Sequence, residues 1–432
     1  MNKSKIVNNQ NKAIAIKASF IAIALFFSMI ALPFEVFYLK AILILIIIVS
    51  FTLNFTYIKI SKFVILWFTA YIIWGFLYLL LGFFNENEGV SSLFSIFFIW
   101  PIIYLIFISR IRTLEIFKKL FLTIKIASLF ISLYTILYYL SLKTMLINPA
   151  IFHMAMQSFD MINPSEYDIS AAYITSLMYI VPFNISLLIF QKQQQKSEIL
   201  FLWLLLILNL ITVILVNRNA LVIVVVLSPF ISLILLRIIE KESFFSFTVS
   251  LITFKFFIFI FIFIFITSFF FTNELQIIFD NLILGFQFSS PEAASAYARY
   301  EQFFALIEGW KKNIFFGNGI GATLEHFSRN DKYPWAFELS YVVLLFTTGL
   351  VGVLFYFTLI FILIKKNIFI AKINQEYRIF IVSTLTGMIS FMIANATNPY
   401  LYTFEHMWAL FTSLAIINVY SYQTNRSFNA KY

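Results

Sequence analysis

Residues 199–236 read ILFLWLLLILNLITVILV, then Asn217 and Arg218, then NALVIVVVLSPFISLILL, and this stretch decides the fold. Each half is apolar almost throughout, and Arg218 is the one charge in the whole stretch. An apolar helix of about 18 residues reaches roughly 27 Å, close to the thickness of a bilayer's hydrocarbon layer. Lipid offers backbone N–H and C=O groups no partner, so segments of this kind cross as helices. The polar triplet Asn217-Arg218-Asn219 marks a tight helical hairpin and sets Arg218 near headgroup level. The alternative for Arg218 is a helix-end anchor that snorkels to water.

Outward from that hairpin the same pattern fills the chain. Of 432 residues, 62% are hydrophobic, 57 are Phe and 12% are charged, which excludes a soluble globular domain. About twelve runs are long enough to span a bilayer. They lie near 14–32, 36–55, 63–84, 93–109, 120–141, 169–190, 199–216, 219–236, 244–271, 339–363, 379–394 and 402–420. The expected fold is an all-α polytopic bundle forming a single membrane domain over residues 1–432. The basic amino end, Met1 to Lys17, leads into a run with no small-residue cleavage pattern, so that run reads as a retained first span. Placing both termini in the cytoplasm puts 20 of the 30 Lys and Arg on the inner face, with only 5 of the 20 acids. The net charge of +10 thus records membrane orientation, and a nucleic-acid surface is not expected. The chain has no Cys, and His153, His326 and His406 are too scattered to suggest a metal set.

Two outer loops exceed turn length. The first, Ser141 to Asp168, carries Asp160, Glu166 and Asp168. The second, residues 272–338, is the long extracytoplasmic loop. In it, Ser290, Pro291 and Glu292 read as N-cap, first helical residue and acidic first turn of a helix to about Trp310. That helix carries Arg299, with Phe303 and Leu306 at helical spacing and Ala294, Ser295 and Ala298 small enough for close packing. A surface salt bridge from Arg299 to Glu292 or Glu301 is the plainer reading. Phe316-Gly317-Asn318-Gly319-Ile320-Gly321 can bend sharply and offer backbone N–H groups to an anion, which makes Gly319 a candidate ligand. A structural turn after the helix is the competing role, and the P-loop and dinucleotide patterns are not met.

Asn217-Arg218-Asn219-Ala220 opening a span, Arg299 on a loop helix, Trp310, the glycine segment 316–321, Glu338-Leu339-Ser340-Tyr341 and Gly349-Leu350-Val351-Gly352 follow in a telling order. That order resembles the O-antigen polymerase and ligase family of bacterial inner membranes, over roughly the second half of the chain. The ligases resemble one another in a His where Glu338 stands, which favours the polymerase side. The resemblance implies glycan transfer from a polyprenyl pyrophosphate carrier on the outer face of the inner membrane, with no nucleotide sugar, cofactor or metal. A chain-length regulator protein is the further partner it suggests.

The residues fit that chemistry. Breaking the bond between an anomeric carbon and a pyrophosphate oxygen builds negative charge on the leaving group. Two guanidiniums, Arg218 and Arg299, are suited to chelate it. The acceptor hydroxyl loses a proton, and Glu338 is the first candidate base, with Glu166, Asp168 and Glu405 as reserves. Glu338 reads equally as an interface residue paired with Lys332 or Arg329. Tyr300, Trp310 and Trp335, with Tyr297 and Tyr333 beside them, offer ring faces for a glycan, although an interfacial aromatic belt reads the same way. His326 and His406 receive no role. The competing functions are a ligase passing polymer to a lipid core and a polytopic transporter or flippase.

Overall fold

The structure, a computed structural model, describes residues 19–33, 36–53, 60–144, 147–148, 152, 172–189, 195–216, 218–240, 276, 280, 283 and 294–429. Helix is the only regular structure among them. In chain order the main helices are α1 (Ser19–Ala31), α2 (Phe37–Leu53), α3 (Lys62–Phe84), α4 (Val90–Ile108), α5 (Leu114–Thr144), α6 (Leu177–Ile189) and α7 (Lys196–Val216). They continue as α8 (Asn219–Glu240), α9 (Ala294–Lys311), α10 (Ser340–Ile373), α11 (Gln375–Asn395) and α12 (Trp408–Asn429).

Seven of these, α3, α4, α5, α7, α8, α10 and α11, are long and apolar enough to cross a membrane, and α1, α2 and α6 are shorter apolar helices. The chain is therefore a helical, membrane-embedded protein. The expected hairpin is present, with α7 ending at Val216 and α8 starting at Asn219. The ninth expected run, 244–271, lies outside the described residues, as do Asp160, Glu166, Asp168, Asn217 and the expected cap Ser290 to Glu292. The last run differs in its start. Residues 400–406 form two short 3-10 turns, Tyr400–Tyr402 and Phe404–His406, and helix begins only at Trp408.

Helix α6 is the axis of the bundle. All thirteen of its residues are buried, Pro182 included, and it packs against α5, α7, α8 and α11. A helix apolar all round is stable only when surrounded in this way. The contact with α11 is close because Gly387 sits under the Tyr179 ring, where a Cβ would lie 2.9 Å from two ring carbons. Small polar side chains join the helices across the core. Ser128 and Ser132 of α5 donate to Asn209 Oδ1 of α7 at 2.9 and 2.7 Å, Asn184 of α6 donates to Ser128 at 3.1 Å, and Ser232 bonds Thr386 at 3.0 Å. Such bonds keep polar atoms satisfied where no water competes.

Helix α10 is broken at Gly349, whose φ of 62° and ψ of −172° lie outside helical space. A helix would carry bonds from the N–H groups of Leu350 and Val351 to the carbonyls of Phe346 and Thr347. Here the two N–H groups donate instead to Ile314 O and Phe315 O, both at 3.0 Å. The two freed carbonyls accept from Asn318 N at 3.0 Å and Gly319 N at 2.8 Å. The glycine segment thus replaces, bond for bond, what the break removes. On its other side Ile320 N donates to Tyr78 O of α3 at 3.0 Å, and Gly89 N, before α4, donates to Gly321 O at 3.1 Å. One short loop therefore ties α3, α4 and α10 together at one end of the bundle, and α9 packs on α10 beside it.

Candidate functional site

The start of α10 at this same end brings together charges that lie far apart in sequence. Helix α9 turns a stripe of Gln302, Leu306 and Gly309 toward α10, with Gln302 and Leu306 fully buried and Gly309 against the Phe346 ring. Arg299 is three residues before Gln302, so it continues that stripe to the edge of the packed surface. Of the small residues expected to pack closely, the side chains of Ala294 and Ser295 lie outside the described set and Ala298 is half-buried, while Phe303 is 40% exposed.

Arg299 Nε donates to Glu338 Oε2 at 2.6 Å, and a terminal nitrogen of Arg329 meets Glu338 Oε1 at 2.9 Å. Both carboxylate oxygens are thus held by guanidiniums. Arg299 pairs with Glu338 where Glu301 was the expected partner, Glu292 lying outside the described residues, and of Lys332 and Arg329 it is Arg329 that meets Glu338. The three side chains are 30%, 25% and 21% exposed for Arg299, Arg329 and Glu338, so a ligand can reach them from outside. Glu338 N donates to Gln302 Oε1 at 3.4 Å. The next residue, Leu339, has a φ of 25°, a left-handed conformation that a branched side chain rarely adopts. Strain of this kind persists where the surroundings over-determine it, as at binding sites.

The turn after α11 closes the cluster. Ser340 Oγ donates to Asn398 O at 2.9 Å, and Asn395 Oδ1 accepts from Leu401 N at 2.9 Å, which fixes Tyr400 beside the start of α10. Burial raises the pKa of the Tyr400 hydroxyl, while the neighbouring Arg218 and then Arg299 lower it and Glu338 raises it. Those influences place Arg218, Arg299 and Glu338 around one hydroxyl. Arg218 comes close enough to act on it, yet the hydroxyl oxygen is buried with no partner at hydrogen-bond distance. Arg329 Nη1 and Gln302 Nε2 are likewise buried without acceptors. Two guanidiniums hold the one carboxylate and a third, Arg218, lies beside Tyr400, so the cluster carries excess positive charge together with unmet donors. An anion with several oxygens is the chemical complement of such a site.

The other sequence candidates fall elsewhere. Gly319 has its N–H engaged by Thr347 O, and its φ of 84° and its approach to the Gly82 backbone give it a structural task. Its backbone N–H is thus engaged within the protein. Tyr300 lies 40% exposed on α9 with its ring edge to Phe304, Trp310 donates its indole N–H to Ile314 O at 2.9 Å, and Trp335 rests on Gly89 and meets Tyr333 edge-on. No ring contact joins these three among the described residues. Glu405 pairs with the buried Lys40 at 3.7 Å, and His406 is held by Thr175 and by Thr403, the latter at 2.8 Å. Tyr400 and Gln302 went unnoticed in the sequence, where a lone phenol and a lone amide in apolar surroundings carry no pattern.

No protein-family model matches the chain, and no curated protein matches it with significance.

Proposed function

We propose that the chain is a membrane glycosyltransferase that polymerises oligosaccharide repeat units carried on polyprenyl pyrophosphate. The observation that supports this best is the convergence of Arg218, Arg299 and Arg329 on Glu338 and Tyr400 at one end of an apolar bundle. In this reading the protein sits in a bacterial inner membrane with about twelve spans and cytoplasmic termini. The cluster then faces outward, and a chain-length regulator is a partner.

The reaction uses the cluster's excess charge. An acceptor sugar hydroxyl attacks the donor's anomeric carbon, a glycosidic bond forms, and the bond from that carbon to the pyrophosphate oxygen breaks with its electron pair. Carrier pyrophosphate leaves, and Arg218, Arg299 and Arg329 stabilise the charge it gains. The Tyr400 hydroxyl donates a further hydrogen bond to the same oxygens. Glu338 has two roles in this reading. Its engaged lone pairs align two guanidinium forks, and the two that remain accept the proton of the attacking hydroxyl.

The test supplies purified protein in lipid with a polyprenyl-pyrophosphate oligosaccharide as sole substrate. A product ladder rising by whole repeat units, with free carrier released in step, is the expected result. Transfer only after a lipid-core acceptor is added would make the protein a ligase. No transfer by folded protein would overturn the reading and direct attention to transport. Arg218→Lys is expected to lose at least about 100-fold in turnover, because a bidentate fork becomes a point charge in a site built to stabilise a leaving group.

A further inference from the structure

The opposite end of the bundle holds a second pair of arginines in a different setting. Residues 109–113 join α4 to α5. Helix α4 starts beside the glycine loop, so its far end, and this turn, lie about 28 Å away at the usual rise per residue. Arg110 is 1% exposed, and its Nε and both terminal nitrogens are buried without an acceptor. Arg112 donates Nε to Ser109 O at 3.0 Å, and one of its terminal nitrogens is also buried without an acceptor. Neither residue takes part in an ion pair among the described residues.

The turn is firmly built. Asn418 of α12 donates to Ile108 O at 3.3 Å and Ile111 O at 3.1 Å, and its Oδ1 accepts from Ser61 N at 2.9 Å. Ser19 Oγ donates to Arg110 O at 3.2 Å. The arginines are therefore held in place by their backbone. The Phe51 ring, 5.7 Å from the Arg110 guanidinium carbon, is the one favourable contact that charge makes among the described residues. A cation–π contact recovers less than removing a guanidinium from water costs. Burial, and then the neighbouring Arg112 charge, lower the Arg110 pKa to about 10, so it stays protonated at neutral pH. Two like charges fixed two residues apart, with unmet donors, call for an acceptor between them.

We propose that Arg110 and Arg112 form a second anion site that takes a phosphate group. Phosphate offers three acceptor oxygens to two forks, and its charge offsets both the burial and the mutual repulsion. The group is either the headgroup of an anionic phospholipid at the membrane surface or a soluble phosphate. The site is independent of the glycosyl-transfer reading, which concerns the other end of the molecule.

The experiment uses the full chain in an uncharged, phosphate-free detergent and reads the unfolding temperature. Sodium phosphate is added in one arm, phosphatidylglycerol in mixed micelles in a second, and sodium chloride at matched ionic strength as the control. Because the Glu338 cluster also attracts phosphate, Arg218→Met is measured beside wild type, Arg110→Met and Arg112→Lys. The expected result is a rise of about 3 °C or more in wild type and in Arg218→Met, absent in Arg110→Met. Arg112→Lys keeps the charge but loses the fork and should need at least about ten times more ligand for the same rise. It carries the test if Arg110→Met does not purify folded. A rise with phosphatidylglycerol alone assigns the site to a lipid headgroup, and a rise with inorganic phosphate assigns it to a soluble anion. No rise in wild type with either, or an equal rise in Arg110→Met, overturns the proposal.

Discussion

The glycine loop and the Arg299–Glu338–Arg329 part of the arginine cluster come from one segment, residues 294–352, and they treat their polar groups in opposite ways. In the glycine loop four successive N–H groups, from Gly317 to Ile320, are engaged within the protein. Gly317 N donates to Asn313 O at 2.8 Å, and the next three N–H groups go to Phe346, Thr347 and Tyr78 carbonyls. Around Glu338, by contrast, Tyr400 Oη, Arg329 Nη1 and Gln302 Nε2 are buried with no partner. An unmet buried donor costs about 1–3 kcal/mol, more when charged, and proteins retain few of them without a use. A loop rich in glycine is thus the frame, and the less conspicuous charges beside it hold the unmet donors on which the proposed ligand site rests.

The largest effect should come from breaking the frame. Gly319 has a φ of 84°, and a Cβ there would fall on the backbone of Gly82, which cannot yield as a flexible side chain would. Gly319→Ala combines that clash with left-handed backbone strain, a loss of about 3 kcal/mol or more. Thermal unfolding in detergent should show a midpoint lower by roughly 6–12 °C, since larger chains shift by a few degrees per kcal/mol. A variant with unchanged midpoint and lost transfer would reverse the assignment and return Gly319 to the anion site.

Next in size is the cluster itself. Arg329→Lys keeps a positive charge near Glu338 but gives up the planar fork and the buried Nη1 donor. Turnover should fall about 10- to 100-fold, with an unfolding midpoint within about 2 °C of wild type, because a partly exposed ion pair contributes little to stability. Loss of stability in proportion to activity would make Arg329 a strut for the loop and narrow the ligand site to Arg218 and Arg299.

Much of this was legible beforehand, and the limits have physical causes. Lipid forces helix on long apolar runs, so the hairpin at Arg218 and the loop helix carrying Arg299 came out close to their positions, the latter as Ala294–Lys311. Arg299 and Glu338 stood out as charges beside apolar spans. Their 2.6 Å bond joins residues 39 apart, and nothing in either one's local sequence encodes the partner. Glycines signal that φ can be positive, yet not whether the freed N–H groups meet a ligand or the chain itself. Gly349 shows the same limit from the other side. It sits in an apolar run that reads as continuous helix, and only the exchange with residues 314–319 reveals the break.

Tyr400→Phe removes one oxygen and nothing else, which makes it the finest test of the contrast between frame and site. If the hydroxyl had a partner within the protein, its loss would cost about 1 kcal/mol of stability. It is buried without one, so Phe should fit the same space at equal or slightly higher stability. In the proposed reaction the hydroxyl donates to the departing pyrophosphate, and its removal should lower turnover about 2- to 12-fold, the net worth of one ordinary hydrogen bond. The ratio of these two readouts decides the matter. A stable and slower enzyme places Tyr400 in contact with substrate. A variant as fast as wild type and more stable leaves an unmet hydroxyl with no ligand to meet it, and the rule drawn from the two regions fails at the residue where it is sharpest.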